Sequence, residues 1–506
     1  MKNWSHLIIG LAVCAVSLGT GCSSDHSKKL THYSPVPEQE KYPRGLRISP
    51  RYRVMAKATS DSSGWNVEQH ATATYEAWPD YLDPETIPSA YKDIAVHFAQ
   101  VDADQRIRFR VELLQGEIET LKVVPSRYEE VRETLSSDKR WIEFEVDASD
   151  LTKHILVEIN EPKDSPILNH GLMVFLNPVT PKPKGKVLEL PSGVVGLDHP
   201  AMSDDRCIHV AEDSPYDAIY IPNDTIVDGR IQIHKKGFTV TGRGILCGSS
   251  WKYAKQENWP NHYPITRDHK IVKGLCEGAG DTIFEGIMTV HPYHFNFTTA
   301  EHFINLKAFG WRHSSDGFHG KYIRGCFSKV NDDHQYSNEG IIERGSYWGM
   351  NNGGIFQLGW GGAAMAKGGN GHVKECNVLR CEWPADGGAR QNNGVFSGVI
   401  FSPGTMRNNL FEDIRVDGQC FRFIAYRLGE GVTLEDFTFK DIWYEKPFGV
   451  PEGYQKAGEP YESHMAAGQG ITGFVFDNIV VGGKKVISLE DFGPMLKENL
   501  GEVTFK

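Results

Sequence analysis

Residues Ser315–Asp333 read SDGFHGKYIRGCFSKVNDD, and this stretch decides the fold. It places Asp316 on a Ser-Asp-Gly-Phe turn and ends on the adjacent pair Asp332 and Asp333. Between these acids, the segment Tyr322–Val330 has the apolar and aromatic content of a short strand. If the strand belongs to a coiled β-architecture, one circuit of the chain brings the second acidic cluster back beside the first.

Similar short segments, separated by Gly, Asn and Asp turns, recur on both sides of this stretch. One repeat is marked by Ile283, Ile304, Ile323 and Ile342, which are 21, 19 and 19 residues apart. A period near that length is typical of a solenoid with one coil per repeat. Asn-Gly dipeptides, which mark β-hairpin turns, are too sparse in the repeat-containing part of the chain to favour an array of antiparallel sandwiches. We therefore predict a right-handed parallel β-helix over residues 191–506.

The three acids should share one groove of this solenoid. Successive coils lie ~4.8 Å apart, and the 16 residues from Asp316 to Asp332 are close to one coil. Neighbouring strand residues point to opposite faces, so Asp332 and Asp333 both face the groove only if the chain turns there, as Asn331 favours. Grouped carboxylates raise the pKa of one member, so one acid can hold a proton while another stays ionised. Glycoside hydrolysis requires such a pair, with one acid to protonate the leaving oxygen and another to activate water. The alternative is that both motifs are ordinary solvated turns.

The N-terminal part of the chain has a different pattern of apolar residues from the repeat region. Residues 46–180 contain short period-2 segments parted by polar turns, such as Ile107–Val111 and Trp141–Val146. This pattern predicts an antiparallel β-sandwich, and it contains no catalytic constellation. The Pro- and Lys-rich residues 181–190 are predicted to form a stiff linker to the β-helix.

Residues 1–22 have the features of a signal peptide, with one early Lys, an apolar stretch and small residues before Cys22. The apolar stretch is too short to span a membrane. Leu18–Cys22 resembles a bacterial lipobox, which implies a lipid on Cys22 and a polar tether over residues 23–45. We therefore expect an exported outer-membrane lipoprotein, periplasmic or on the cell surface, that touches the membrane only through this anchor. Cleavage and release is the alternative.

The amino-acid composition limits the classes of molecule that the chain is expected to bind. The 506 residues carry a formal net charge of -11, which argues against nucleic acid and polyanions and favours a neutral polysaccharide. Seven cysteines follow Cys22, an odd number without any C-x-x-C pair, so we predict buried apolar cysteines rather than a disulfide framework or zinc site. No metal and no cofactor is expected.

Further polar and aromatic residues near the acids are candidates for holding substrate. Trp rings stack on the apolar faces of pyranose rings, and amides offer both a donor and an acceptor to sugar hydroxyls. An Arg beside the acids can tune their pKa values. The candidates are His294, Asn296, Trp311, Arg312, Gln357 and Trp360. A structural role in a turn is the alternative for His294 and Asn296.

The chain resembles glycoside hydrolase family 49, which comprises dextranases and isopullulanases, in an ordered set of motifs. The matching segments are Thr241–Gly248, Asp316–Phe318, Phe327 with Val330–Asp333, Tyr347–Trp360 and Phe476–Val486. The resemblance covers the chain from about residue 50 to the C-terminus, including a β-sandwich before a β-helix.

This resemblance implies an inverting hydrolase of α-glucans. Carried over by position, Asp332 is the general acid, while Asp316 and Asp333 hold and activate water. Two features depart from the family: the segment between Asp316 and the pair is a few residues shorter, and His334 stands where the family has Lys. The sugar is therefore open between a dextran- or pullulan-like α-glucan and a related α-galactan.

Two other classes of function stay open. A calcium-dependent polysaccharide lyase would use clustered acids as metal ligands and a basic residue near a uronate, for which Arg312, Arg324 and Lys329 are available. The acidic composition and the acid trio weigh against it. A non-catalytic glycan-binding lipoprotein on the same fold is the third class.

Overall fold

The computed structural model describes residues 30–31, 36–62, 65, 67–74, 94–161, 167–251, 274–311, 315–350, 352–361, 368–382, 394–420, 422–448 and 463–506. Within these ranges the chain consists of strands and two short 3-10 helices, Gln39–Lys41 and Leu489–Phe492. None of the described segments forms a helix long and apolar enough to cross a membrane. The all-β prediction is confirmed.

The N-terminal strands form a single ten-stranded sheet whose two halves enclose one apolar core. Its pairs are antiparallel except that β10 runs parallel to β4. The strands are β1 (Leu30–Thr31), β2 (Leu46–Ala58), β3 (Val67–Thr74), β4 (Val96–Ala103), β5 (Ile107–Leu113), β6 (Leu121–Val124), β7 (Thr134–Leu135), β8 (Trp141–Val146), β9 (Lys153–Ile159) and β10 (Leu172–Asn177). This is the predicted sandwich.

The remaining strands wind into the predicted parallel β-helix. They begin earlier than residue 191, because Val187–Glu189, inside the predicted linker, already pairs with Ala218–Ile221. They are β11 (Val187–Glu189), β12 (Gly193–Val195), β13 (Cys207–Val210), β14 (Ala218–Ile221), β15 (Thr225–Asp228), β16 (Arg230–Ile233), β17 (Thr239–Gly242), β18 (Ile245–Cys247), β19 (Gly274–Glu285), β20 (Met288–Val290), β21 (Phe295–Ile304), β22 (Lys307–Phe309), β23 (Tyr322–Arg324), β24 (Phe327–Val330), β25 (Gln335–Tyr336), β26 (Ile341–Glu343), β27 (Ser346–Gly349), β28 (Phe356–Gly361), β29 (His372–Lys374), β30 (Asn377–Cys381), β31 (Phe396–Ile400), β32 (Gly404–Arg407), β33 (Leu410–Val416), β34 (Ile424–Leu428), β35 (Val432–Glu435), β36 (Thr438–Tyr444), β37 (Ser463–Thr472), β38 (Phe474–Val481), β39 (Lys484–Lys485), β40 (Met495–Leu500) and β41 (Val503–Phe505).

Each coil contributes in turn to three parallel sheets. Sheet 1 contains β23, β26 and β29, sheet 2 contains β24, β27 and β30, and sheet 3 contains β25, β28 and β31. The longer strands, such as β19 and β21, bend from one sheet into the next. The cysteines in the described residues are all free and buried, several of them inside the coils.

The inward row of sheet 1 corrects one detail of the predicted repeat. Ile323 pairs with Phe303, and Phe284 pairs with Phe303 in turn, so the stacked inward residues are Phe284, Phe303, Ile323 and Ile342. Ile283 and Ile304 are each one residue off this row and are only partly buried. Apolar residues on both sides of the pleat made the two positions indistinguishable by composition.

The sandwich packs on the outer face of sheet 2. Strands β4 and β10 are buried on both faces, because one face lies in the sandwich core and the other meets the β-helix. Phe98 and Phe175 contact Phe309 of sheet 2, with ring centroids 5.3 and 6.4 Å away. An ion pair between Arg243 and Asp102, 2.9 Å apart, joins the two parts in the same interface.

Candidate functional site

The three predicted acids lie on two neighbouring turns that connect sheet 2 to sheet 3. Backbone hydrogen bonds stack these turns: the N–H of Asn296 donates to the carbonyl of Asp316 at 2.9 Å, and that of Gly317 donates to the carbonyl of Asp333 at 2.9 Å. A third turn continues the stack, since the N–H of His334 donates to the carbonyl of Gly354 at 3.0 Å. Consecutive coils therefore carry the acids side by side.

The register decides which acid of the pair lies opposite Asp316. Phe318 pairs in parallel with Gln335, an offset of 17 residues that sets Asp316 opposite Asp333. Asp332 lies one residue earlier, at a bend between β24 and β25. The coil of 17 residues is thus one residue longer than the Asp316–Asp332 spacing, which was predicted to be close to one coil.

The predicted turn at Asn331 is present and is held by two hydrogen bonds. The Asn331 side chain donates to the carbonyl of Trp311 at 3.0 Å, and its backbone N–H donates to the Ser315 hydroxyl at 3.2 Å. The next coil approaches so closely that a Cβ on Gly353 would lie 2.0 Å from the carbonyl carbon of Asp332. Only glycine permits this approach, which holds the acidic bend in place.

Asp333 is buried and accepts three hydrogen bonds. The backbone N–H of Gly354 and the side-chain amide of Gln357 donate to Oδ1 at 3.1 and 2.8 Å, and the Tyr336 hydroxyl donates to Oδ2 at 3.0 Å. Burial raises the pKa of Asp333, and the three donors oppose this effect. Donors aimed at both oxygens favour the ionised carboxylate.

Asp316 has a different partner. Its Oδ2 lies 2.8 Å from Nε2 of His319 and 3.4 Å from the Tyr336 hydroxyl. The His319 ring packs between Phe295 and Tyr336, with centroids 4.5 and 4.8 Å away. Tyr336 therefore bridges Asp316 and Asp333, and its own pKa is raised by burial and by the nearby carboxylates.

Asp332 is shifted toward its protonated form. Burial raises its pKa well above the usual range, and the negative charges of Asp316 and Asp333 raise it further. Hydrogen bonds from the Asp333 backbone and the Asn352 side chain oppose the shift. Asp332 is only partly buried, so part of the residue is accessible from the surface of the protein.

The other predicted residues fall into separate groups. Gln357 is fully buried and is a partner of Asp333 rather than an exposed subsite residue. Asn296 is also fully buried: its amide nitrogen donates to the Asp316 carbonyl at 2.8 Å and its oxygen accepts from Thr289. Its predicted contact with sugar hydroxyls is wrong, because both ends of the amide are already bonded. His294 is nearly buried beside Phe295.

The predicted subsite role of Trp311 is also wrong. Its ring is 2% exposed and lies in the interface between sandwich and β-helix, where Nζ of Lys329 is 4.9 Å from its centre. Lys329 also lies 3.7 Å from the centre of the Trp348 ring and pairs with Glu382 at 2.6 Å. Sequence gave no sign of this burial, because it depends on how the sandwich docks.

Trp360 is 48% exposed, as a subsite residue should be. Two other predicted residues, Arg312 and Cys22, lie outside the described residues. The sequence reasoning missed His319 and Tyr336, each of which follows an acid by three residues. That spacing was a usable signal, since a turn followed by a short strand brings such a residue back over the acid.

One group of potential metal ligands occurs in the described chain, Asp205, Cys207 and His209. Arg230 is fully buried beside it and donates to Asp205 at 3.0 Å, and His209 lies 3.0 Å from the same oxygen. The Asp205 carboxylate is therefore already neutralised by a guanidinium.

Comparison with known proteins gives a structural match without a sequence match. No family model and no curated protein matches the chain. The chain resembles Dex49A from Penicillium minioluteum. The TM-score is 0.64 at 14% sequence identity, over 94% of this chain and 96% of that one. Coverage of that extent takes in both the sandwich and the β-helix, so the similarity to Dex49A supports the fold of both parts.

Proposed function

We propose that this chain is a glycoside hydrolase that cleaves an α-linked polysaccharide with inversion. The observation that carries the proposal is the set of three converging carboxylates in unlike environments: Asp332 is shifted toward its protonated form, while Asp333 accepts three hydrogen bonds. The family resemblance of the sequence and the Dex49A-like fold support the same reaction class.

In this mechanism Asp332 donates its proton to the glycosidic oxygen as the bond to the anomeric carbon breaks. A water molecule held by Asp316 and Asp333 attacks that carbon from the opposite face and gives its proton to one of these carboxylates. His319 and Tyr336 hold the two bases in place. Solvent then returns a proton to Asp332 and removes one from the base.

The substrate is a neutral α-linked glycan, either dextran- or pullulan-like or an α-galactan. His334, which replaces the lysine of the family motif, is fully buried and bonds Ser328 through Nδ1 at 2.6 Å. It therefore lies inside the coil, where it offers no charge to a sugar. A changed subsite beside the acids is consistent with a substrate other than dextran.

A lyase reaction is less well supported by the candidate bases. Lys329 is fully buried and paired with Glu382, and Arg324 pairs with Glu343 on sheet 1. Arg312 lies outside the described residues. A non-catalytic glycan-binding protein would not need an acid whose pKa is raised well above its usual range.

We also propose that the chain is exported and held at the outer membrane by a lipid on Cys22, from the lipobox-like sequence. Mass spectrometry of the mature N-terminus tests this independently of activity. A mature protein that begins at Cys22 with a diacylglyceryl group supports the anchor. A mature protein that begins at another residue without lipid excludes it.

The function is tested with a panel of dextran, pullulan, α-galactan and a uronate polymer. New reducing ends without ultraviolet absorbance, unaffected by a calcium chelator, support the hydrolase. Absorbing products that disappear with the chelator would identify a lyase. Absence of cleavage with retained binding, in both the wild type and Asp332→Asn, would identify a binding protein.

A further inference from the structure

Strand β28 contains a bulge directly after the residue that contacts Asp333. Gln357 pairs with Ser397, yet Trp360 pairs with Val399, so three steps on β28 match two steps on β31. Residues three apart on a regular strand face opposite sides. The bulge returns Trp360 to the face of Gln357, and bulges beside active sites commonly redirect a side chain in this way.

A second exposed ring lies on the next coil. Phe401 directly follows β31, two residues beyond Val399, the partner of Trp360. The carbonyl of Ile400, directly before Phe401, accepts a hydrogen bond from the N–H of Gly429 at 2.7 Å, so the pairing of β31 with β34 continues up to this ring. Phe401 is therefore on the same face as Trp360, diagonally across the two strands.

These two rings are the most exposed aromatic side chains in the described part of the chain, at 48% for Trp360 and 57% for Phe401. A Cβ on Gly429 would lie 3.2 Å from Cα of Phe401, so the backbone of the neighbouring coil passes close to this residue. At ~3.3 Å per residue, Trp360 lies roughly 7–10 Å along the strand from Gln357 and thus from the acids. That separation is bridged by a short run of pyranose units.

We infer that Trp360 and Phe401 together form an aromatic subsite that binds the apolar faces of a neutral α-linked glycan chain beyond the point of cleavage. The inference rests on the proposed function, because the occupant is the chain whose bond lies at Asp332. Phe401 and the bulge are the new elements, and continuity with the carboxylates through Gln357 argues for a glycan rather than a protein partner. Aromatic rings grip sugars without charge, which fits an uncharged substrate.

The test compares Trp360→Ala, Phe401→Ala and the double variant with Tyr322→Ala, in the full chain. Tyr322 is a matched control, since it is 38% exposed but lies on sheet 1, where its ring stacks on His302. On the polysaccharide that the panel identifies, we expect each single subsite variant to raise KM about tenfold, and the double variant to raise it further, with the effect mainly on KM. Tyr322→Ala should match the wild type. Unchanged KM in the double variant would overturn the subsite while leaving the hydrolase intact.

Binding without turnover separates this inference from the proposed function. Affinity electrophoresis in gels containing dextran, pullulan or α-galactan should retard the wild type and Tyr322→Ala, and retard the double variant less. That result supports the subsite even if no glycan is cleaved. Equal migration of all three proteins in every gel would overturn it, whatever the hydrolysis assay shows.

Discussion

Two of the regions in which the chain buries charge arrange it in opposite ways. Under the sandwich, two buried cations are paired with anions: Lys329 with Glu382 at 2.6 Å, and Arg243 with Asp102 at 2.9 Å. On the turns into sheet 3, three carboxylates are grouped together instead. Opposite charges neutralise each other under the sandwich, where the Arg243–Asp102 pair also joins the two domains, whereas the grouped like charges raise the pKa of Asp332. The second arrangement costs stability, which is a common feature of active sites.

The largest effect on kcat is expected for a change at Asp332, the acid of the carboxylate group that holds a proton. Asp332→Asn keeps the shape of the side chain but has no proton to donate. We expect kcat to fall on the order of 10²–10⁴-fold, as measured by release of reducing ends. The fold should persist, since Asn also relieves the repulsion with Asp316 and Asp333.

The same variant has a signature in stability. The folded-state pKa of Asp332 lies above its unfolded value, so its contribution to stability is fully present below about pH 4 and is lost as the pH rises through the folded pKa. Denaturation curves at several pH values should show that Asp332→Asn removes this decline and is relatively more stable than the wild type at neutral pH. A wild type and variant with parallel pH profiles would contradict the raised pKa.

A change in the Lys329–Glu382 ion pair should affect the free energy of unfolding rather than the chemistry of the acids. Lys329→Met leaves the Glu382 carboxylate buried without its cation, and we expect a loss of about 3–5 kcal/mol in the free energy of unfolding. Burial lowers the pKa of Lys329 to about 8, so the charge on this side chain is lost at a lower pH in the folded protein than in the unfolded chain. Urea denaturation measures the change.

The matched control is the double variant Lys329→Met/Glu382→Gln. It removes both charges and retains an acceptor for the backbone N–H of Leu168, which donates to Oε1 of Glu382 at 2.9 Å. Most of the lost stability should return. If the double variant is as unstable as the single one, the packing around Trp348 and Trp311 matters more than the charge.

A smaller effect is expected from the donors on Asp333. Gln357→Leu removes the 2.8 Å hydrogen bond to Oδ1, which lowers the pKa of this acid. Without it the pKa rises, so the base is protonated at a higher pH and the acidic limb of kcat/KM moves upward. A loss of 1.5–3 kcal/mol for a bond to a charged group corresponds to about 1–2 pH units.

Ser397→Ala is the control for this shift. Ser397 pairs with Gln357 across the sheet and is equally buried, but it has no hydrogen bond to Asp333. Its pH profile should coincide with that of the wild type. A shifted limb in this variant would mean that general repacking of β28 and β31, rather than the lost donor, moves the pKa.

The smallest effect is expected for Tyr336→Phe. The hydroxyl donates to Asp333 at 3.0 Å and lies 3.4 Å from Asp316, and Asp333 keeps two other donors when it is lost. We expect kcat/KM to fall roughly three- to tenfold, or about 0.5–1.5 kcal/mol. An effect as large as that of Asp332→Asn would give Tyr336 a direct part in proton transfer.

Sequence was informative wherever the coil repeat governs position. The spacing between Asp316 and the pair Asp332 and Asp333 was enough to predict that they meet, because stacking carries one coil onto the next. It did not decide which acid of the pair lies directly opposite Asp316, since only hydrogen-bond register distinguishes a 16-residue from a 17-residue offset.

Other features depend on contacts far apart in the chain. Trp311 is exposed or buried according to where the sandwich packs, which no local pattern records. The bulge between Gln357 and Trp360 is visible only in the pairing with β31. Asn296 has the composition of a sugar-binding residue, yet its amide holds the Asp316 turn instead.

The central claim is that Asp332 acts as the acid while water attacks from the opposite face. Proton NMR of the fresh product of an α-linked polysaccharide tests it most directly, because mutarotation is slower than the first spectra. The account predicts that the first new reducing ends are β-anomers. First products in the α configuration would show retention and contradict the assignment of Asp316 and Asp333 to an attacking water.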